Sequence, residues 1–121
     1  GPSGENIYPE DIENVINNLE GVSESIVVER EGKLVALVQP NENFVQWDKE
    51  SEDKLYEKLD VWKAKLLKLT NKSVSKASQV SSVEVMKEPF EKTATQKIRR
   101  FKYKESAPTV EEEQKEKTDN K

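Results

Sequence analysis

Residues 25–39 read SIVVEREGKLVALVQ, and this stretch decides the fold because two strand signals flank a tight turn. We predict one strand from Ser25 to Glu31 and its hairpin partner from Lys33 to Gln39, joined by a turn at Glu31-Gly32. The apolar run from Leu34 to Val38 lacks polar alternation. The second strand is therefore predicted to be buried on both faces of its sheet.

A helix is predicted on each side of this hairpin. The first begins at Pro9, carries Glu10 and Asp11 in its first turn and ends before Gly21, while the second spans about Asp53 to Leu69. Each has an apolar stripe at helical spacing: Ile12, Val15, Ile16 and Leu19 in the first, and Leu55, Leu59, Trp62, Leu66 and Leu69 in the second. We interpret the second stripe as packing against a sheet, since about two heptads are too few for a coiled coil.

The remaining signals complete a small α+β fold. A third strand is predicted from Ser82 to Met86, with Val83 and Val85 inward and Glu84 outward. Residues 90–96 read as a loop, and Ile98 and Phe101 indicate a short final helix or turn. The predicted architecture is a three-stranded sheet with helices packed against it.

Composition divides the chain near residue 104. Beyond it Val110 is the one large aliphatic residue among acids and lysines. Such a segment buries too little apolar surface to offset its ordering entropy. We therefore predict a folded domain over residues 1–104 and a disordered, charged tail over residues 105–121.

The composition excludes several kinds of chemistry. The chain has no Cys and no His, so it can build neither a Cys/His zinc site nor a catalytic unit based on Cys or His. No metal site is predicted. No apolar run approaches the length of a membrane-spanning helix, and no signal-peptide pattern is present. The formal net charge of −4 does not favour nucleic acid as a partner.

Two further segments carry a family resemblance. Residues 4–13 read GENIYPEDIE and residues 89–100 read PFEKTATQKIRR, and the predicted helix, hairpin, helix and strand lie between them. Together they resemble the C-terminal domain of adenylate-forming ligases, the acyl-CoA synthetase superfamily. The resemblance covers nearly all of residues 4–104 and is strongest to bacterial long-chain fatty acid–CoA ligases.

The resemblance implies a two-step reaction and a division of labour. A fatty acid and MgATP give an acyl-adenylate and pyrophosphate, and the acyl group then passes to coenzyme A. The C-terminal domain is a mobile lid on an N-terminal domain that holds ATP, Mg²⁺ and the acid. The lid supplies an adenylation lysine, which Lys97 matches, and then rotates to present a post-hinge loop for the thioester step, which Gly4, Glu5 and Asn6 match.

The resemblance also sets expectations for the isolated domain and its parent. The domain alone is expected to be a catalytically silent monomer, because it carries a positioning lysine and nothing to hold ATP. The parent enzyme is expected to be cytoplasmic or peripheral at the membrane.

The sequence departs from the superfamily beside the key lysine. Gln96 stands where the superfamily usually has Gly, which is costly if the backbone there requires a positive φ. Thr93 and Thr95 are interpreted as loop formers, because their hydroxyls can bond nearby backbone groups. Glu13 is expected to face solvent or to anchor a loop.

Alternative functions rest on the basic stretch of residues 97–104. Five cations alternate there with Phe101 and Tyr103, a pattern that also suits a solvated helix face or a small nucleic-acid-binding module. Apart from Gly1-Pro2-Ser3-Gly4 at its start, the sequence has no Gly-x-x-Gly motif that could form the loop of a KH domain, and it lacks the aromatic segment of an RRM. A protein-interaction module that uses the charged tail or the helix containing Trp62 is the other alternative.

Overall fold

The computed structural model describes residues 6–119. Gly4 and Glu5 of the predicted post-hinge loop lie outside these described residues. The elements in chain order are α1 (Pro9–Asn17), β1 (Val22–Arg30), β2 (Lys33–Pro40), α2 (Glu52–Ser73), β3 (Val80–Val85) and α3 (Val110–Asp119), with 3-10 helices at Lys76–Ser78 and Arg100–Tyr103.

The sheet confirms the prediction made from the hairpin. Its strand order is β1-β2-β3, with β1 and β2 antiparallel and β2 and β3 parallel. Glu31 and Gly32 both have positive φ, 51° and 77°, as a two-residue hairpin turn requires. Strand β2 lies in the centre, and its residues Leu34 to Val38 are all buried. The parallel β2–β3 pair is possible because α2 provides the long connection between them.

The two faces of the sheet are covered differently. Helices α1 and α2 pack on one face through a core cluster that includes Ile12, Ile16, Leu59, Trp62 and Leu66. The other face is covered by the chain after β3. There Met86, Phe90, Ile98 and Tyr103 form one apolar cluster with the β1 and β2 residues of that face, which are Ile26, Val28, Val35 and Leu37. The short final helix expected near Phe101 is the 3-10 helix Arg100–Tyr103. An irregular segment thus forms the second layer that buries β2.

The bounds of the helices shift slightly from those predicted. Helix α1 ends at Asn17, although Leu19 still packs against the core. Helix α2 continues to Ser73, and Thr70 rather than Leu69 is its last buried residue. Strand β3 spans Val80–Val85 rather than the predicted Ser82–Met86. Val83 and Val85 are buried as predicted, whereas Glu84, predicted to face outward, is half-buried beside Arg30 and Thr109.

Helix α3, Val110–Asp119, lies within the segment 105–121 that the sequence predicts to be a disordered tail. Val110 is only 3% exposed and Thr109 is bridged to Met86. The Glu111 carboxylate accepts the Val85 N–H at 2.8 Å and pairs with Lys63 at 2.6 Å. One buried aliphatic and these polar contacts hold the segment on β3, which a composition argument does not detect.

Gly21 lies between α1 and β1, where the chain passes close to the side chains of Trp62 and Phe44. Its φ is +90°, and a Cβ atom there would lie 2.8 Å from Trp62 Nε1 and 3.3 Å from Phe44 Cδ2. The indole cannot easily retreat, because its N–H donates to the Glu20 carbonyl at 2.9 Å. The position therefore requires a residue without a side chain.

We expect Gly21→Ala to lower the free energy of unfolding by about 2–4 kcal/mol, since it adds a steric clash to left-handed strain. Gly32→Ala is the matched control, because Gly32 also has positive φ but a Cβ atom there would meet nothing within 4 Å. It should cost only about 1–2 kcal/mol. Urea denaturation of both variants measures the difference, and equal losses would contradict the packing argument.

Candidate functional site: the Lys97 hairpin

Lys97 lies on a small hairpin at residues 92–98. Lys92 and Ile98 form an antiparallel bridge at its base. The Thr93 N–H donates to the Lys97 carbonyl at 2.8 Å, and the Gln96 N–H donates to the Thr93 carbonyl at 2.9 Å. These bonds define a β-turn from Thr93 to Gln96 that presents Lys97 directly after it.

The backbone at Gln96 has the conformation that the superfamily's glycine would favour. Its φ is 68°, in the left-handed region that costs an L-residue about 1–2 kcal/mol. Thr93 Oγ1 compensates by accepting the Lys97 N–H at 3.2 Å, and it lies 3.0 Å from Thr95 Oγ1. The two threonines therefore form the loop as the sequence predicted.

The Lys97 side chain is exposed, and no described residue forms an ion pair with its ammonium group. Its cationic neighbours differ. Lys92 pairs with Glu24 at 2.9 Å, and Lys102 pairs with Glu91 at 2.7 Å. The hairpin thus leaves Lys97 available to a ligand while neighbouring charges are used internally.

The base of the hairpin is tied to the second face of the sheet. The Glu91 N–H donates to the Tyr103 hydroxyl at 2.8 Å, and the Arg99 N–H donates to the Glu91 carbonyl at 2.8 Å. The Phe90 and Tyr103 rings meet edge to face with centroids 5.3 Å apart. These contacts anchor the ends of the hairpin and leave residues 91–97 exposed.

Glu13 and Arg100 join the two segments that carry the family resemblance. Glu13 is 8% exposed, and its Oε2 accepts the Val27 N–H at 2.7 Å. Arg100 binds both carboxylate oxygens, with Nη2 3.0 Å from Oε1, and its Nη1 also donates to the Val27 carbonyl at 2.9 Å. Hydrogen bonding to Glu13 raises the pKa of Arg100 above its usual value.

Of the two expectations for Glu13, anchoring a loop is therefore the one confirmed. Sequence reasoning did not identify Arg100 as its partner. Two signals were present: Glu13 lies between Ile12 and Ile16 at the edge of the apolar stripe, and Arg100 follows Lys97 by three residues. Nothing in the sequence alone pairs residues 87 positions apart.

The two segments also share one surface. A cleft of about 420 Å³ is lined by Tyr8, Pro9, Glu10, Asp11 and Arg100. Asn6 is exposed at the start of this segment, where its amide donates to the Tyr8 hydroxyl at 3.3 Å. A larger groove, of about 640 Å³, lies along α2 and contains no residue of either segment.

Across the described part of the chain, no three acidic residues cluster in a way that could hold a metal ion. The described helices include none with the length and apolarity needed to cross a membrane.

Comparison with known proteins identifies the family. The family described as "AMP-binding enzyme C-terminal domain" matches residues 2–114, and the chain belongs to it. The match extends ten residues past the boundary predicted at residue 104, into α3. No curated protein sequence matches the chain.

Solved structures share the fold. A benzoate CoA ligase from Burkholderia xenovorans LB400 is 23% identical with a TM-score of 0.61, over 80% of this chain and 18% of that one. A fatty acyl CoA synthetase from Mycobacterium tuberculosis is 25% identical with a TM-score of 0.54, over 81% and 17%. O-succinylbenzoate coenzyme A synthetase from Bacillus subtilis is 20% identical with a TM-score of 0.58, over 82% and 17%. The chain thus matches less than a fifth of the length of each of these enzymes.

We expect Gln96→Gly to raise the free energy of unfolding by up to about 1 kcal/mol, because glycine removes the left-handed strain at a modest entropic cost. Ala94→Gly, in the same turn and without a positive φ, should instead lower it by about 0.5–1 kcal/mol. Chemical denaturation compares the two variants. Equal destabilisation by both would show that the strain at Gln96 is not significant.

Proposed function

We propose that the chain is the C-terminal lid domain of an ATP-dependent fatty acyl-CoA ligase, and that Lys97 serves its adenylation step. The observation that carries the proposal is the position of Lys97. It stands exposed and without an ionic partner among the described residues, directly after a turn, in a domain that belongs to the AMP-binding enzyme family. Its match to the adenylation lysine comes from the sequence resemblance. Its cationic neighbours Lys92, Arg100 and Lys102 are all paired.

The proposed reaction has two half-reactions. In the first, a carboxylate oxygen attacks the α-phosphorus of MgATP, the bond to the β-phosphate bridging oxygen breaks, and acyl-AMP and pyrophosphate form. In the second, the thiolate of coenzyme A attacks the acyl carbon, acyl-CoA forms and AMP leaves. The described residues contain no acidic cluster that could hold a metal ion. We assign ATP, Mg²⁺ and the acid to an N-terminal domain of the same enzyme, as the family resemblance implies.

The chemistry gives a lysine a clear role in the first half-reaction. A carboxylate that approaches an α-phosphate must overcome repulsion between two negative centres. A compact ammonium on a flexible stem can contact both groups, and it screens them most strongly where water is scarce. An exposed Lys97 at the tip of a hairpin can reach into another domain's cleft, as this role requires.

The long-chain fatty acid is the finer part of the proposal. The long chain is supported by the sequence resemblance, and a fatty acyl substrate in general by the 25% identity to the Mycobacterium tuberculosis fatty acyl CoA synthetase. The residues that bind the acyl chain are assigned to the N-terminal domain. Gly4, Glu5 and Asn6 are proposed to border the pantetheine channel in the second half-reaction, in an enzyme that works in the cytoplasm or at the membrane periphery.

A nucleic-acid-binding role for residues 97–104 is not favoured by the contacts. Arg100 is bound by Glu13, Lys102 by Glu91, and Arg99 stacks over Phe101 with 5.1 Å between guanidinium carbon and ring centroid. A patch that reads phosphates needs several cations free at once.

In the full-length enzyme, we expect Lys97→Ala to lower the rate of adenylation by about 10²–10³-fold, because one preorganised electrostatic donor is lost. The thioester step from pre-made acyl-adenylate should change far less. Pyrophosphate exchange and single-turnover acyl transfer measure the two steps. Lys104→Ala is the control for loss of a nearby exposed cation, and equal loss in both half-reactions of Lys97→Ala would refute the assigned role.

The 121-residue chain alone should be catalytically silent. Mixed with MgATP, a long-chain fatty acid and coenzyme A, it should release no pyrophosphate above the background of a protein-free control, because it lacks the proposed nucleotide and acid sites. A coupled pyrophosphate assay makes the measurement. Turnover that follows the chain through purification would contradict the proposed division of labour.

A further inference from the structure

We infer that Glu13, acting through Arg100, is a positioning residue for Lys97 in the adenylation step. The inference rests on the proposed function of Lys97 and extends it to a carboxylate 84 positions earlier in the chain. Glu13 does not contact reactants in this view. It determines where the Lys97 hairpin stands relative to the rest of the domain.

Apart from its two ends, the hairpin makes few contacts with the rest of the domain. Residues 91–97 are all exposed, and the backbone bonds that shape the turn join Thr93, Gln96 and Lys97 to one another. The orientation of the hairpin therefore depends on the residues that enter and leave it. On the entering side Lys92 pairs with Glu24 of β1, and on the leaving side Lys102 pairs with Glu91 at the base of the hairpin itself. Arg100, three positions after Lys97, is the leaving-side residue that pairs with a helix, through Glu13 of α1.

Arg100 is held in a defined geometry rather than by simple charge attraction. Its guanidinium binds both oxygens of Glu13 and the Val27 carbonyl, while Glu13 also accepts the Val27 N–H at 2.7 Å. Val27 belongs to β1, which is an edge strand in the described sheet. The pair thus connects the hairpin to α1 and to the rigid sheet, and a bidentate arginine specifies direction as well as distance.

A carboxylate is required for this arrangement. Glu13 receives three donors: the Val27 N–H and two guanidinium nitrogens of Arg100. Glutamine has nearly the same shape, but it offers one acceptor oxygen and places an NH₂ donor against the other donors. Glu13→Gln should therefore release one side of the Arg100 fork with little change in side-chain volume.

A small displacement of Lys97 would be enough to slow adenylation. A displacement of about 1 Å at a reacting group can cost about 10²-fold in rate, even when the mutated residue is far from the chemistry. A loosened fork would affect the half-reaction in which Lys97 acts. It would leave acyl transfer to coenzyme A largely intact, since Lys97 is withdrawn in that step of the proposed cycle.

The test uses Glu13→Gln in the full-length enzyme. We expect kcat for pyrophosphate release to fall by about 10–10²-fold, while KM for ATP and the single-turnover rate of acyl transfer change by less than about threefold. An unchanged kcat, or an equal fall in both half-reactions, would overturn the inference.

A double-mutant cycle separates positioning from a general structural effect. If Glu13 acts through Lys97, Glu13→Gln should cost little further adenylation activity in a Lys97→Ala background. If the two losses multiply, Glu13 acts on its own and the inference is wrong. The Lys97→Ala enzyme also tests the proposed function. If this variant adenylates its substrate normally, the role of Lys97 is rejected. If Lys97→Ala loses adenylation but Glu13→Gln adenylates normally, only the positioning role of Glu13 is rejected.

Glu111→Gln is the matched control for fold damage. Glu111 also accepts an edge-strand N–H, from Val85, and pairs with a cation, Lys63, but it touches no part of the hairpin among the described contacts. This variant should lower thermal stability without a selective loss of adenylation. If Glu13→Gln fails to fold, Arg100→Lys keeps the charge and removes the bidentate fork, and it should show the same selective fall in adenylation. Arg100→Lys with unaltered half-reactions would then overturn the inference.

Discussion

The Glu13–Arg100 pair is the interaction on which the arrangement of this domain depends. It lies where α1, the edge strand β1 and the chain after β3 meet, and it satisfies both main-chain polar groups of Val27. With Glu13 only 8% exposed, water cannot replace either partner cheaply. The pair therefore connects the two segments that lie near opposite ends of the sequence. Residues of both segments also line the adjacent cleft.

The opposite edge of the sheet has a similar arrangement. There the Glu111 carboxylate accepts the Val85 N–H and pairs with Lys63 of α2. Burial works to lower the pKa of Lys63, but the hydrogen bond that Lys63 donates to Glu111 and the attraction of that carboxylate raise it overall. Both outer strands thus have a main-chain donor covered by an ion-paired carboxylate. Covered edges are the usual way in which a small sheet avoids pairing with another chain.

Lys97 differs from the neighbouring cations because it has no ion-pair partner among the described residues. Most of the cations near it are paired with acids or lie over a ring, and these contacts hold the irregular segment on the second face of the sheet. The proposed lid function therefore rests on a single ammonium group that has no ionic partner among the described residues, beside cations that are paired.

The local sequence determined the secondary-structure elements and the central buried strand. Alternating and continuous apolar runs, Pro9, Gly21 and the Glu31-Gly32 turn act over a few residues, so they can be recognised directly in the sequence. The positive φ of Gln96 was anticipated only through the family resemblance, because glycine usually stands there in the superfamily. Only the tertiary structure decided that Glu13 meets Arg100, that an irregular segment covers the second face, and that the charged C-terminal segment forms α3. These outcomes depend on contacts between residues distant in sequence, and one buried Val110 or one carboxylate carries no periodic signal by itself.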